Sequence, residues 1–273
     1  MFDYMEYLRE EKMPHIWCPG CGNGIIVKAL LRAVKKVGWS KDDIVQVSGI
    51  GCSSRTPGYL DMNTLHTTHG RALAFATGVK MYKPEAKVIV VSGDGDSVSI
   101  GGNHFIHAAR RNIDMTLIVF NNHIYGMTGG QNSPTTPHGA RTTTMTTGNF
   151  DEPFDISALA LGAGATFVAR STVAHPAQLE RFIRKGLLHK GFALIEAMVM
   201  CPTAYGRRNK LRDPVKNLEI YEEQAISVKD AAELGPDELK DRIVTGIFRE
   251  EKRPEYTERY AQLVEDLGGP ART

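Results

Sequence analysis

Lys87-Val88-Ile89-Val90-Val91-Ser92-Gly93-Asp94-Gly95-Asp96 is the stretch that decides the fold. Its unbroken apolar run, rich in β-branched residues, reads as a strand buried on both faces. It stops at alternating glycine and aspartate, the residues of turns. The same grammar recurs on either side. Ile44–Ser48 is a short β-branched run followed by Gly49-Ile50-Gly51-Cys52, and Met115–Phe120 is another buried run followed by Asn121-Asn122. Strands near 165–169 and 192–200 follow, and helical patterns separate them over 24–37 (stopped by Gly38), 70–81, 103–111, 155–161 and 176–189. Short apolar strands alternating with helices predict an α/β fold, a mainly parallel sheet with helices on both faces. Ligands in such sheets bind beyond the carboxyl ends of the strands. Three motifs, at 49–52, 93–96 and 121–125, fall at such ends.

The 273 residues exceed one average domain and fall short of two, enough to bury a full core without staples. A domain over 1–205 with a charged, partly helical C-terminal extension over 206–273 is expected, with helices around 236–248 and 255–266. Residues 1–20 read as irregular, broken by Pro14 and Pro19. Lys+Arg exceed Asp+Glu by only two, which gives no global case for nucleic acid or an anionic membrane. Glycine, at 27 residues, exceeds the usual ~7%, and its clusters suggest backbone brought close to a ligand. The first residues hold no basic start followed by an apolar core, and no apolar run approaches the ~20 residues of a bilayer span. A cytoplasmic protein is expected.

Glycine on each side of Asp94 lets the backbone approach a phosphate, and the carboxylate can hold a hard cation that neutralises it. Twenty-five residues, 96–120, lie between Gly95 and Asn121-Asn122. They hold one helix and one strand, enough to carry the chain to the neighbouring strand end. Asn122 can then offer a neutral oxygen to the same Mg²⁺, and the carbonyl of Ile124 another. This arrangement resembles the thiamine-diphosphate-binding motif, whose Asp, second Asn and a carbonyl two residues on hold the metal. A dinucleotide site fits worse. Gly49-Ile50-Gly51-Cys52-Ser53-Ser54 lacks the third glycine, runs into Arg55-Thr56-Pro57, and Asp61 comes too soon for a ribose contact. No P-loop is present.

The four cysteines are Cys18 and Cys21 in a C-x-x-C, Cys52 after a strand, and Cys201 before Pro202. Four readings stay open on spacing alone: a [4Fe–4S] cluster, a tetrahedral zinc site, a redox-active C-x-x-C, and small core residues without metal.

The chain as a whole resembles the β subunits of 2-oxoacid:ferredoxin oxidoreductases, most nearly the 2-oxoglutarate branch. The resemblance runs in order from about residue 15 to 205 through Trp17-Cys18-Pro19-Gly20-Cys21-Gly22, Gly49-Ile50-Gly51-Cys52, His69-Gly70-Arg71-Ala72, Gly93-Asp94-Gly95-Asp96, His107-Ala108-Ala109-Arg110-Arg111-Asn112, Asn121-Asn122, Tyr125-Gly126-Met127-Thr128-Gly129-Gly130-Gln131 and Ser133-Pro134-Thr135-Thr136. It implies thiamine diphosphate, Mg²⁺ on Asp94, Asn122 and Ile124, and a [4Fe–4S] cluster on Cys18, Cys21, Cys52 and Cys201. Asn121 departs from the pattern, since relatives often carry Asp there. The implied reaction is thiamine- and coenzyme A-dependent oxidative decarboxylation of a 2-oxoacid, 2-oxoglutarate to succinyl-CoA as the first choice, with electrons leaving singly to ferredoxin. Reductive carboxylation is the reverse. Pyruvate or a branched-chain 2-oxoacid is the runner-up substrate. A non-redox thiamine decarboxylase half and a zinc-stabilised interaction module are the alternatives.

By the same resemblance Gly51, Cys52, Ser53, His69, Gly93, Asp94, Gly95, Asp96, Asn122, Tyr125, Gly126, Met127 and Thr128 are expected around the cofactor. Arg55, His69 and Arg71 are the candidate catalytic residues. Each has a plainer reading: Arg55 as a salt-bridged loop residue rather than a clamp on a substrate carboxylate, and His69 and Arg71 as helix-capping or core residues. Arg207, Arg208, Lys210 and Arg212 form a basic stretch that is either a solvated face or a dock for an acidic ferredoxin. No segment resembles the domain that supplies the activating glutamate of thiamine enzymes. An α subunit carrying it is therefore expected, in a heterodimer or a dimer of heterodimers.

Overall fold

The computed structural model describes residues 2–269; Met1, which opens the expected domain over 1–205, and residues 270–273, which end the expected extension over 206–273, lie outside the described residues. After two short 3₁₀ turns the elements run α1 (Asn23–Val37), β1 (Ile44–Ser48), α2 (Thr56–Tyr59), β2 (Asn63–His66), α3 (Ala72–Tyr82), β3 (Lys87–Gly93), α4 (Asp94–Val98), α5 (Gly102–Arg111) and β4 (Met115–Asn121). A small hairpin of β5 (Ile124–Tyr125) and β6 (Gln131–Asn132) opens the long loop. Then come α6 (Ile156–Gly162), β7 (Phe167–Thr172), α7 (Pro176–Leu188), β8 (Phe192–Met198), α8 (Tyr205–Arg208), α9 (Pro214–Gln224), β9 (Ala225–Ser227), α10 (Val228–Ala231), α11 (Pro236–Leu239), β10 (Ile243–Glu250) and α12 (Tyr256–Asp266).

One eight-stranded sheet has the order β2-β1-β3-β4-β8-β7-β10-β9. Every pairing is parallel except β10 on β7. The apolar runs become central strands because both of their faces are covered. Ile89, Ile118 and Ile195 point to the side where α1 and α7 pack, with Ile26 and Leu30 of α1 among them. Val88, Val90, Leu117 and Leu194 point to the other side, against Phe105 of α5 and Ile156 of α6. Phe105 meets Phe192 edge to face, centroids 6.0 Å apart. Burying each such side chain fully stabilises the fold by about 1.5–3 kcal/mol, so the centre of the sheet is a rigid floor for its carboxyl edge.

The extension corrects one expectation. Residues 236–248 do not form a helix. α11 stops at Leu239, and β10 joins the main sheet beside β7. Ile243-Val244-Thr245 is a β-branched run, and half-burial at a sheet edge suits it better than a helix would. Helix α12 lies where the 255–266 helix was expected. Residues 94–98, read as loop, wind into a short helical turn directly off β3. Among the described residues no helix is long and apolar enough to cross a membrane.

Candidate active site

β1, β3, β4 and β8 are neighbours, so their carboxyl ends, at Ser48, Gly93, Asn121 and Met198, line up along one edge of the sheet. The turns that leave the first three enclose a cavity of about 240 Å³. Gly51, Cys52 and Ser53 line it from the β1 turn. Gly93, Asp94, Gly95 and Asp96 line it from β3 and α4. Asn122, Ile124, Tyr125, Gly126, Met127 and Thr128 line it from the β4 turn, and His69 closes it. Asn23, Ile50 and Phe120 also line it and were not anticipated. A roomier cleft of about 720 Å³ lies by Lys185, His189 and Glu250, away from these motifs; its charges include a paired Lys185 and Glu250, 2.7 Å apart.

The two aspartates of the Gly-Asp-Gly-Asp turn have different tasks. Asp94 is buried, and the hydroxyls of Ser133 and Thr135 donate to its Oδ2 at 2.7 and 2.6 Å. Burial raises its pKa above the usual carboxylate value despite these hydroxyls. A cation beside it would offset that desolvation, which is what a metal-binding aspartate requires. Asn122 lies in the same cavity, its Oδ1 accepting from the Ile124 N–H at 3.3 Å. Asp96 is spent on architecture. Its Oδ1 accepts from Gly70 N at 2.7 Å and Ile50 N at 3.3 Å, its Oδ2 accepts from Ser92 Oγ at 2.6 Å, and His69 Nδ1 lies 2.6 Å from Oδ1. One carboxylate thus ties the β1 turn and the His69-Gly70 loop to β3.

Tyr125 donates from its hydroxyl to the Gly95 carbonyl at 3.2 Å, and its ring meets His69 edge-on at 5.9 Å. A Cβ on Gly95 would come within 2.3 Å of that ring, so the close approach requires glycine. Burial, then the charges of Asp94 and Asp96, raise the Tyr125 pKa despite a hydrogen bond with Ser99. Thr128 donates to Gln131 Oε1 at 2.7 Å, bracing the rim. Arg55 does not line the cavity; its Nη2 lies 3.5 Å from the sulfur of Met127, which does. Arg71 does not line the cavity; its guanidinium contacts exposed-side His104.

The four thiols lie in one neighbourhood beside this cavity. Trp17 is buried and donates from its indole to the Cys52 carbonyl at 2.7 Å, fastening the C-x-x-C segment to the β1 turn. A Cβ on Gly126 would lie 3.3 Å from Cys201 Sγ and 3.7 Å from Cys52 Sγ. Burial, then the neighbouring thiols Cys201, Cys21 and Cys18, push Cys52 up to about 11. Burial chiefly raises Cys21 as well. A metal's charge beside Cys21 and Cys52 would favour their thiolates against that burial. Among the described residues no three His, Cys, Asp or Glu side chains converge closely enough to grip one metal ion. A tetrahedral zinc site, with Zn–S near 2.3 Å, needs sulfurs about 3.8 Å apart; a cluster accepts wider spacing.

Behind the cavity lies a buried network that sequence reasoning missed. Glu196 of β8 accepts from Asn121 Nδ2 at 2.8 Å, from Ser157 Oγ at 2.7 Å and from Arg170 Nε at 2.8 Å. Arg170 also pairs with Asp155. A glutamate inside an otherwise apolar strand was the signal available.

Residues 49–197 match the family described as thiamine pyrophosphate enzyme, C-terminal TPP binding domain. The 2-oxoglutarate synthase subunit KorB of Methanocaldococcus jannaschii is 49% identical over 267 residues, 98% of this chain and 99% of that protein. Its namesake from Archaeoglobus fulgidus is 50% identical over 261 residues, covering 96% and 94%. The 2-oxoacid:ferredoxin oxidoreductase subunit beta of Saccharolobus solfataricus is 38% identical over 240 residues, covering 85% and 76%. The solved 2-oxoglutarate:ferredoxin oxidoreductase from Magnetococcus marinus, with 2-oxoglutarate, coenzyme A and succinyl-CoA bound, superposes with a TM-score of 0.88 at 33% identity over 98% of this chain and 92% of that one. With its parallel sheet, its Gly-Asp-Gly turn opposite Asn122 and its strand-end cavity, the chain belongs to the thiamine pyrophosphate enzymes and, within them, to the β subunits of the 2-oxoacid:ferredoxin oxidoreductases.

Proposed function

We propose that this chain binds thiamine diphosphate with Mg²⁺ in the strand-end cavity and a [4Fe–4S] cluster on Cys18, Cys21, Cys52 and Cys201. With an α subunit it converts 2-oxoglutarate and coenzyme A to succinyl-CoA and CO₂, passing two electrons singly to ferredoxin, or runs the reverse. One observation carries this reading: Gly126 lines the cavity and also backs onto the Cys52 and Cys201 thiols. Cys52 itself lines the cavity, so the cofactor cavity and the thiols adjoin directly.

When bound, thiamine diphosphate supplies the carbanion and electron sink for decarboxylation, and an iron–sulfur cluster accepts electrons one at a time. Asp94, Asn122 and the Ile124 carbonyl would hold the Mg²⁺. Gly93, Gly95 and Ser53 would face the diphosphate; the Ser53 hydroxyl is buried without a hydrogen-bond partner among the described residues. His69, braced by Asp96, and Tyr125 would flank the reacting end. Arg55, beside the cavity-lining Met127, would receive the distal carboxylate of 2-oxoglutarate, which pyruvate lacks. The exposed Arg207, Arg208, Lys210 and Arg212 follow Cys201 closely and suit an acidic ferredoxin. A cytoplasmic location would suit this reading.

Anaerobic co-purification with the α subunit tests the proposal. Thiamine and about four iron atoms per copy of this chain are expected, with ferredoxin reduction fastest on 2-oxoglutarate among 2-oxoacids. Arg55→Met should cost 2-oxoglutarate turnover more than pyruvate turnover. Zinc in place of iron, or no dependence on coenzyme A, would overturn the proposal.

A further inference from the structure

Ser133-Pro134-Thr135-Thr136 sits far along the chain from Asp94, yet its hydroxyls reach that carboxylate. Both donate to the same oxygen, Oδ2, at 2.7 and 2.6 Å, and both are buried. The turn that carries them is locked to the β4 end. His123 Nδ1 donates to the Thr135 carbonyl at 2.8 Å, the Thr136 hydroxyl donates to the His123 carbonyl at 2.6 Å, and the Ser133 N–H donates to Thr136 Oγ1 at 2.9 Å. Thr135 Oγ1 also lies 3.0 Å from Asn121 Oδ1, so the clamp touches the residue next to Asn122. A carboxylate in a low-dielectric site with one oxygen held twice has its plane fixed and its other oxygen, Oδ1, outside the clamp.

We infer that Ser133 and Thr135 are positioning residues for Mg²⁺: they hold Oδ2 of the Asp94 carboxylate so that Oδ1 is left to face the cation. The inference rests on the proposed thiamine diphosphate–Mg²⁺ reading of the cavity. The hydroxyls act on metal affinity without touching metal or substrate, as partners of metal ligands do, where loss typically costs about 10–100-fold in affinity.

The test uses the complex with the α subunit, stripped of cofactor, and measures thiamine diphosphate binding across a Mg²⁺ titration by calorimetry. Ser133→Ala and Thr135→Val should each raise the Mg²⁺ half-saturation about 10-fold and the double variant about 100-fold. Thr135→Ser keeps the hydroxyl and should restore the wild-type value. The number of sites filled at saturating Mg²⁺ should stay unchanged, which a folding defect would not allow. Unchanged Mg²⁺ half-saturation in the double variant, with Asp94→Asn still abolishing binding, overturns this inference alone. Wild-type binding that ignores both Mg²⁺ and Asp94→Asn overturns the cofactor reading and this inference together.

Discussion

Two buried carboxylates, Asp94 and Glu196, lie at the ends of one run of close polar contacts through Thr135 and Asn121. They are solvated in opposite ways. Glu196 has a guanidinium, Arg170, beside two neutral donors, and although burial alone would raise its pKa, these partners hold it below the usual carboxylate range. Asp94 has hydroxyl donors, and burial wins. A fold that supplies its own cation to one carboxylate is using it as structure. On the proposed reading, a carboxylate held by hydroxyls at a cavity wall would receive a cation that arrives with a ligand. The difference separates scaffold from site within a single strand-end region.

Removing the internal cation should be the costliest change. Arg170→Met leaves Glu196 buried and unpaired, and should destabilise the chain by about 3–5 kcal/mol in urea unfolding of the complex. Asp94→Asn should do the reverse. It should leave cofactor-free stability unchanged or slightly raised, while Mg²⁺-dependent thiamine diphosphate binding falls by about 100-fold or more. A large loss of stability in Asp94→Asn would erase the contrast. The pH dependence sharpens it further. The depressed Glu196 contributes stability that is present above the unfolded glutamate value of ~4.3 and is lost as pH falls through its lower folded value. Glu196→Gln should therefore flatten that acid loss, read as the denaturation midpoint against pH. Asp94 carries the opposite sign, because a raised folded pKa makes falling pH favour the folded state.

The parts of this molecule legible in sequence are those written locally. Ile44–Ser48, Lys87–Ser92 and Met115–Phe120 announced themselves as apolar runs, and their turns named Asp94, Asn122 and Cys52. The edge strand β2, Asn63-Thr64-Leu65-His66, has no such run because its side chains are exposed or half-buried. β10 was masked by its charged end, Arg249-Glu250, and by the helix-forming residues before it. The clamp on Asp94 and the Arg170–Glu196 pair are tertiary contacts across 26 to 41 residues. Periodicity carries no trace of such pairs. Ser133 and Thr135 stood inside a recognised motif, but only the folded loop shows which atom they serve.

On the proposed function, thiol cluster and cofactor cavity form one redox unit that meets at Cys52 and Gly126. Anaerobic addition of 2-oxoglutarate and coenzyme A to the complex without ferredoxin, followed by visible iron–sulfur absorbance, tests it most directly. The account predicts bleaching in the wild type. In Cys201→Ser it predicts iron lower by about four atoms per chain, with thiamine diphosphate still bound and the substrate-driven bleaching lost. Full iron content and unchanged bleaching in Cys201→Ser would contradict it.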